Sequence, residues 1–150
     1  AKAIAAMSKA TFNLKQYLFE NISATGLTVG PGVPYEMELK FHISFDAEVP
    51  EGCDFAVSIK LILNRRNDGE VEEAMNIEAI GGYAFEEGVE PYDIKEPLER
   101  TFAVSLLYGC MRPTLDTIVN NIGFAGLVLP YTLPLDVAES EEAGGQSSSD

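Results

Sequence analysis

The chain is poor in the residue types that most often carry chemistry. It has two cysteines and one histidine in 150 residues. Cys53 and Cys110 stand in dissimilar contexts, form no C-x-x-C pair and suit no metal constellation, so they read as two buried or half-buried thiols. His42 falls on the polar side of an alternating stretch, among Glu38, Lys40 and Ser44, with no designated nucleophile beside it. It reads as a solvated side chain, and catalysis through it is the remote alternative. No metal-ligand spacing, phosphate-cradling glycine loop or nucleophile elbow occurs, and Gly30-Pro31-Gly32 is turn chemistry. The expectation is a non-enzyme that uses no cofactor and no metal.

Positive charge is scarce as well. Lys and Arg number 10 against 24 Asp and Glu, for a formal net charge of −14 and a pI near 4.3. That balance argues against nucleic acid and against anionic membrane surfaces, which both need Lys/Arg clusters. It favours solubility and would attract a basic partner or a cationic unfolded chain. No apolar run approaches the roughly 18 residues of a membrane span, and nothing resembles a signal peptide. A soluble, cytoplasmic chain is expected. Its length suits one domain able to bury about two thirds of its unfolded surface. Residues 1–11 read as a flexible lead-in and 138–150 as an acidic tail that cannot bury enough surface to order itself, leaving one domain over 12–137.

What is present is alternation. In Tyr35–Asp46 every odd position is large and apolar (Tyr35, Met37, Leu39, Phe41, Ile43, Phe45) and every even one polar. That is a strand with one face in a core and the other in water, which places it in an antiparallel sheet. Phe55–Leu63 repeats the pattern. Asn67-Asp68-Gly69 marks a hairpin, and a fourth strand runs from about Glu70 to Phe85 with Val71, Met75, Ile77, Ala79, Tyr83 and Phe85 in phase. Gly81-Gly82 within it predicts a bulge, a bend or the close approach of another backbone. Glu36, Glu38, Asp46, Glu70, Glu72 and Glu78 then make an acidic sheet exterior. Phe12–Ser23 is a less regular first strand, with Phe12, Leu14 and Leu18 on one face and Tyr17 and Phe19 on the other. Apolar groups on both faces call for burial on both sides, and a second subunit is one way to supply it.

Gly26–Pro34 is a Gly/Pro loop that nevertheless carries Leu27, Val29 and Val33, a composition that fits a surface meeting something. From Pro97 the period changes. Leu98, Phe102, Ala103, Leu106 and Cys110 recur at helical spacing, and Leu115, Ile118, Val119 and Ile122 continue it. Pro113 predicts a kink or break around Met111–Arg112, and Asn120-Asn121 and Gly123 are stop signals. Phe124–Leu135 is extended by its prolines and almost wholly apolar. Either it packs over the core or it walls a hydrophobic groove. The fold class is α+β: a four-stranded antiparallel meander followed by a long kinked helix.

Order and motifs together resemble the SecB family of ATP-independent export chaperones. Phe12–Ser23 (F-N-L-K-Q-Y-L-F-E-N-I-S) is similar to that family's opening strand with its closing Ile-Ser. Gly81-Gly82-Tyr83-Ala84-Phe85 resembles the end of its fourth strand. Leu107–Leu129, through Arg112, Leu115, Ile118, Val119 and Phe124, resembles its main helix and helix-connecting loop without a gap. The resemblance implies a dimer of dimers with hydrophobic grooves for non-native polypeptides, and possible roles in protein export and protein transport. Groove walls would come from Leu27, Val29, Val33, Phe124, Leu127, Leu129, Tyr131 and Leu133. Oligomer contacts would come from Phe12, Leu14, Tyr17, Phe19, Leu106, Cys110 and Leu115.

The chain departs from the family pattern in two places. Pro134 leads directly into an acidic stretch where family members carry a second amphipathic helix. The acidic contacts for the SecA motor fall on Asn21, Thr25 and Ile77, none of them acidic, so SecA docking does not carry over residue by residue. A SecB-like chaperone dedicated to one client, such as a toxin–antitoxin partner, is the first alternative. A structural or ligand-binding oligomer is the second.

Overall fold

The computed structural model describes residues 11–26, 36–67, 69–122, 129, 130 and 133. Four strands, β1 (Phe12–Ala24), β2 (Glu36–Ser44), β3 (Phe55–Asn67) and β4 (Glu70–Phe85), precede one helix, α1 (Pro97–Asn121). All pair antiparallel, in the order β1-β4-β3-β2. The expected meander is therefore made by β2–β4 only. β1 adds beside β4 at the opposite edge, so the β1–β2 connection crosses the sheet in a Greek-key arrangement. Strand alternation reports which face is buried but not which neighbour a strand takes. Three strand spacings come to about 14 Å, less than the extended reach of a connection of this length.

The sheet buries one face against α1. Val57, Ile59, Leu61 and Leu63 of β3 and Ile77, Ala79 and Tyr83 of β4 are fully buried on that side, opposite Ala103, Leu107, Tyr108, Met111 and Leu115 of the helix. At roughly 25 cal/mol per Å² of apolar surface, this layer is the main source of stability. Tyr83 stacks on Phe55 at 4.8 Å and donates its hydroxyl hydrogen to the carbonyl of Ala103.

Bulges change which side chains share a face. Register shifts in β1 fall between Leu14 and Gln16 and between Phe19 and Asn21. Each extra residue turns the pleat over. Consequently Phe12, Leu14, Tyr17, Phe19 and Ile22 pair with Phe85, Tyr83, Gly81, Ala79 and Ile77, all on the helix side. The two-faced reading of β1 is corrected: among its large apolar groups only Leu18, opposite Ile80, is on the outer side. A third shift at Ala74 turns Glu72 to the helix side, where it pairs with the buried Arg65, and puts Val71 outside opposite Arg66. Glu70, level with Asn67, goes with Glu72, so neither belongs to the sheet exterior. That exterior is mixed, since Lys40, Lys60 and Arg66 stand among Glu36, Glu38, Glu73 and Glu78. Alternation read along a chain cannot register an inserted residue.

The two glycines of β4 serve different faces. A Cβ on Gly81 would lie 2.8 Å from Leu14 and 3.2 Å from Leu107, so its bareness lets β1 and α1 meet over β4. A Cβ on Gly82 would lie 2.5 Å from Cys53 Sγ and 3.0 Å from Pro50, because the β2–β3 connection folds back over the outer face there. Lys15 Nζ donates to the Gly52 carbonyl at 2.9 Å, and the Asp54 N–H to that of Tyr83 at 2.7 Å, holding the loop down. Of the three expectations for this pair, close approach of another backbone is corrected: the near neighbours of both glycines are side chains. In the β3–β4 turn, Asn67 pairs with Glu70 and Gly69 has φ +84, as the hairpin signal requires; Asp68 lies outside the described residues.

α1 starts with proline in its first turn, followed by Glu99, as dipole and proline rules favour. It runs unbroken through Pro113 to Asn121. A proline there costs one hydrogen bond, and the buried residues on both sides of it hold the helix on the sheet. It ends on Ile122, whose N–H donates to Ile118 at 3.0 Å; Gly123 lies outside the described residues.

Gly82→Ala is expected to lower stability by about 1–3 kcal/mol, the usual cost of an overpacked contact. Cys53→Ala in the same chain should reduce that loss, since sulfur is the nearest obstacle. Urea midpoints of the two single variants and the double variant measure the coupling.

Candidate binding and assembly surfaces

An amphipathic helix on a sheet ordinarily turns charge outward. α1 does not. The residues that face the sheet are Ala103, Val104, Leu107, Tyr108, Met111, Leu115 and Val119. Leu98, Phe102, Leu106 and Cys110, which recur at helical spacing in the sequence, follow a second stripe four residues apart. Leu98 is 63% and Phe102 36% exposed, and Leu106 and Cys110 are half-buried. The helix therefore has two apolar sides, and a spacing rule shows only that residues share a side.

β1 adds to this surface. It is an edge strand of 13 residues, with one backbone edge unpaired among the described residues. Tyr17 is 45% and Ile22 51% exposed on the helix side, Tyr17 packed edge-on against Phe19 at 6.2 Å. Phe12 touches Phe102 at 5.5 Å, so the strand meets the helix stripe there. Long apolar edges invite pairing with another chain. Of the residues assigned to assembly, Tyr17 is exposed and Leu14, Phe19, Leu106 and Cys110 are partly so. Phe12 and Leu115 are buried inside the single chain and have almost no surface left to lend.

The segment after the helix is anchored at described points. Tyr108 donates its hydroxyl hydrogen to the carbonyl of Pro130 at 2.6 Å, and Arg112, one turn on, donates to that of Leu129 at 3.3 Å. Arg112 is also 3.8 Å from Asp116. Leu129 and Leu133 are buried in the main core. Of the two readings of this segment, packing over the core describes these two leucines. The other groove residues, Leu27, Val29, Val33, Phe124, Leu127 and Tyr131, lie outside the described residues. Tyr108 is not singled out by the sequence, and Arg112 only as a point of resemblance in the helix. Their spacing of four with polar ends on a buried face is the signal that could have found them.

Among the described residues no group of His, Cys, Asp and Glu could hold a metal ion, and no helix is long and apolar enough to cross a membrane. His42 stands on the outer face opposite Lys60. Ile77, at one position where SecA contact is acidic in the family, is fully buried on the helix side.

Four antiparallel strands followed by one long helix, in this arrangement, define a SecB-like fold. The chain is similar in structure to a SecB-like chaperone of Mycobacterium tuberculosis, solved in complex with a ChAD peptide from the HigA1 antitoxin. The likeness covers 89% of this chain and 93% of that one, with a TM-score of 0.52 and 18% identity. No family model and no curated protein sequence matches the chain.

Burial pushes the phenol of Tyr108 up to about 12, with Arg112 pulling it down and Asp116 up; burial raises Tyr83 as well. Both phenols keep their protons in the folded chain beyond the ordinary value of 10.0. The stability that each raised phenol contributes is complete below pH 10 and declines as pH rises above it, with Tyr83 holding its proton to higher pH than Tyr108. Tyr108→Phe should be about 1 kcal/mol less stable at neutral pH, for want of the bond to Pro130. It should also fall less steeply than wild type between pH 10 and 11.5 in denaturant midpoints.

Leu129→Ser should cost about 3–5 kcal/mol of stability, through a cavity and a buried hydroxyl. Phe102→Ser should cost the fold less and lower the native mass if the helix stripe is an assembly surface. Thermal melts and native mass spectrometry of the two variants separate the effects.

Proposed function

We propose that the chain is the subunit of an ATP-independent holdase that binds non-native polypeptides in hydrophobic grooves, in the cytoplasm, as a dimer of dimers. The observation that carries this reading is the outward apolar stripe of α1 (Leu98, Phe102, Leu106) beside the unpaired apolar edge of β1. A chain of net charge −14 stays dispersed while such surfaces are open, and it attracts cationic unfolded segments. The similarity to a SecB-like chaperone that holds an antitoxin peptide supports client binding. In the assembly, Tyr17 and Phe19 of β1 and Leu106 and Cys110 of α1 would meet a second copy. Leu27, Val29, Val33, Phe124, Leu127 and Tyr131 would wall the groove, backed by Leu129 and Leu133. Apolar burial is non-directional, so such a groove holds many sequences without reading one. No catalytic residue and no cofactor enters the proposal.

A second reading, favoured by the antitoxin peptide on that similar structure, is a chaperone dedicated to a single client. The non-acidic Asn21 and Thr25 and the buried Ile77 favour it over coupling to SecA and export.

A chemically unfolded client diluted into buffer without ATP should scatter less light in the presence of the chain, at about one client per assembly by native mass. A stable oligomer that leaves the scattering unchanged would overturn the general holdase. One strongly co-purifying partner in that case supports the dedicated form.

A further inference from the structure

An open cavity of about 420 Å³ lies at the end of the sheet where β2 ends, β3 begins and β4 gives way to α1. Phe55 and Phe85 form its apolar lining with Phe45 and with Tyr92 of the β4–α1 connection. Phe85 lies 4.8 Å from Tyr92 and 5.5 Å from Phe55, centroid to centroid. The Tyr92 ring is held by its hydroxyl, which bonds to Thr11 at 2.6 Å and to Glu99. Asp54 is fixed at the rim by the Phe85 N–H, at 2.8 Å. Rings and carboxylate are thus set in place before any ligand arrives, which lowers the cost of binding.

The cavity already shows what it accepts. The Arg100 guanidinium lies 4.7 Å from the centroid of Phe45, its Nε donating to the Ile94 carbonyl at 3.0 Å. Cations within about 6 Å of a ring face are attracted by its quadrupole. The Phe85–Tyr92 pair shares this lining with Arg100 and Lys95, and the rim carries Asp46 and Asp93. Both carboxylates are exposed. Asp46, Asp54 and Asp93 outnumber Lys95 and Arg100 in the lining, which leaves it net negative, and a hydrocarbon would desolvate these carboxylates without compensation.

The geometry points to a subsite for the cationic side chain of a lysine or arginine in a polypeptide, laid on Phe85 and Tyr92 with its charge between Asp46 and Asp93. It deepens the client-holding reading, on which it rests for the source of the side chain. The volume exceeds one such side chain, so neighbouring peptide backbone can enter with it.

The probe is the peptide acetyl-Gly-Arg-Gly-amide, titrated into the isotope-labelled full chain at low salt, with the neutral citrulline peptide as its isostere. Saturable amide shifts are expected at Phe45–Asp46, Asp54–Phe55, Phe85 and Tyr92–Lys95, and none with citrulline. Asp46→Asn together with Asp93→Asn, both on exposed carboxylates, should weaken binding at least fivefold while leaving the rest of the spectrum in place. No shifts, equal binding of citrulline, or shifts spread over the sheet exterior with unchanged affinity in the double variant would overturn the site. If the peptide binds as expected and aggregation is not suppressed, the holdase reading fails and the site stands.

Discussion

Tyr83 lies where β4, β1 and α1 come together, and the rest of the structure depends on the dry contact around it. Its ring stacks on Phe55 and meets Phe12 edge-on at 6.1 Å, while its hydroxyl satisfies Ala103 in the middle of the helix. One residue earlier but one, Gly81 leaves room for Leu14 from the strand and Leu107 from the helix. Three elements distant in sequence are fixed against each other at one place. The edge position of β1 follows from it, and so does the outward stripe of the helix. The helix cannot roll to bury Phe102 without lifting Leu107 and Tyr108 off the sheet.

That contact leaves a surface unusual for an isolated chain. On the outer sheet face Glu36 stands opposite Arg66 and Lys60 opposite Glu78, and pairs such as Arg66–Glu38 at 3.3 Å are exposed and add little to stability. The apolar excess is instead on the helix and on β1. Large exposed apolar areas generally mark interaction sites. Here they coexist with a strong negative charge, which resists uncontrolled association while leaving short-range apolar contact to whatever partner comes close. The SecB-like fold and the similar chaperone that holds a peptide are consistent with that division of labour between long-range repulsion and short-range adhesion.

The three register shifts show how small insertions redirect surface chemistry. Without the pair in β1, Tyr17 would face away from Leu14, and the strand would divide its apolar groups between two faces. With them the helix side becomes continuous, and Leu18 is left outside. The shift at Ala74 sends a carboxylate inward to meet Arg65 and a valine outward. A bulge is invisible to period counting because both flanking halves alternate correctly; only the pairing with β4 or β3 reveals the added residue.

Local chemistry is determined by the chain alone. The strands read at Tyr35–Asp46 and Phe55–Leu63, the turn at Gly69, the start of the helix at Pro97 and the α+β class all follow from period and backbone preference, because each depends on neighbours within a few residues. The Gly81-Gly82 pair announced an irregularity, a bulge, a bend or a close approach, without saying which. What tertiary structure decided is everything that depends on which distant residues meet: the Greek-key position of β1, the helix side that faces the sheet, the burial of Phe12, Leu115, Leu129 and Leu133, and the anchoring of Leu129 and Pro130 by Arg112 and Tyr108. The ring-and-carboxylate cavity belongs there too, since Phe45, Phe55, Phe85 and Tyr92 each read separately as strand or loop residues. Faces and partners are set by the competition for one limited core, and no stretch of sequence contains that competition by itself.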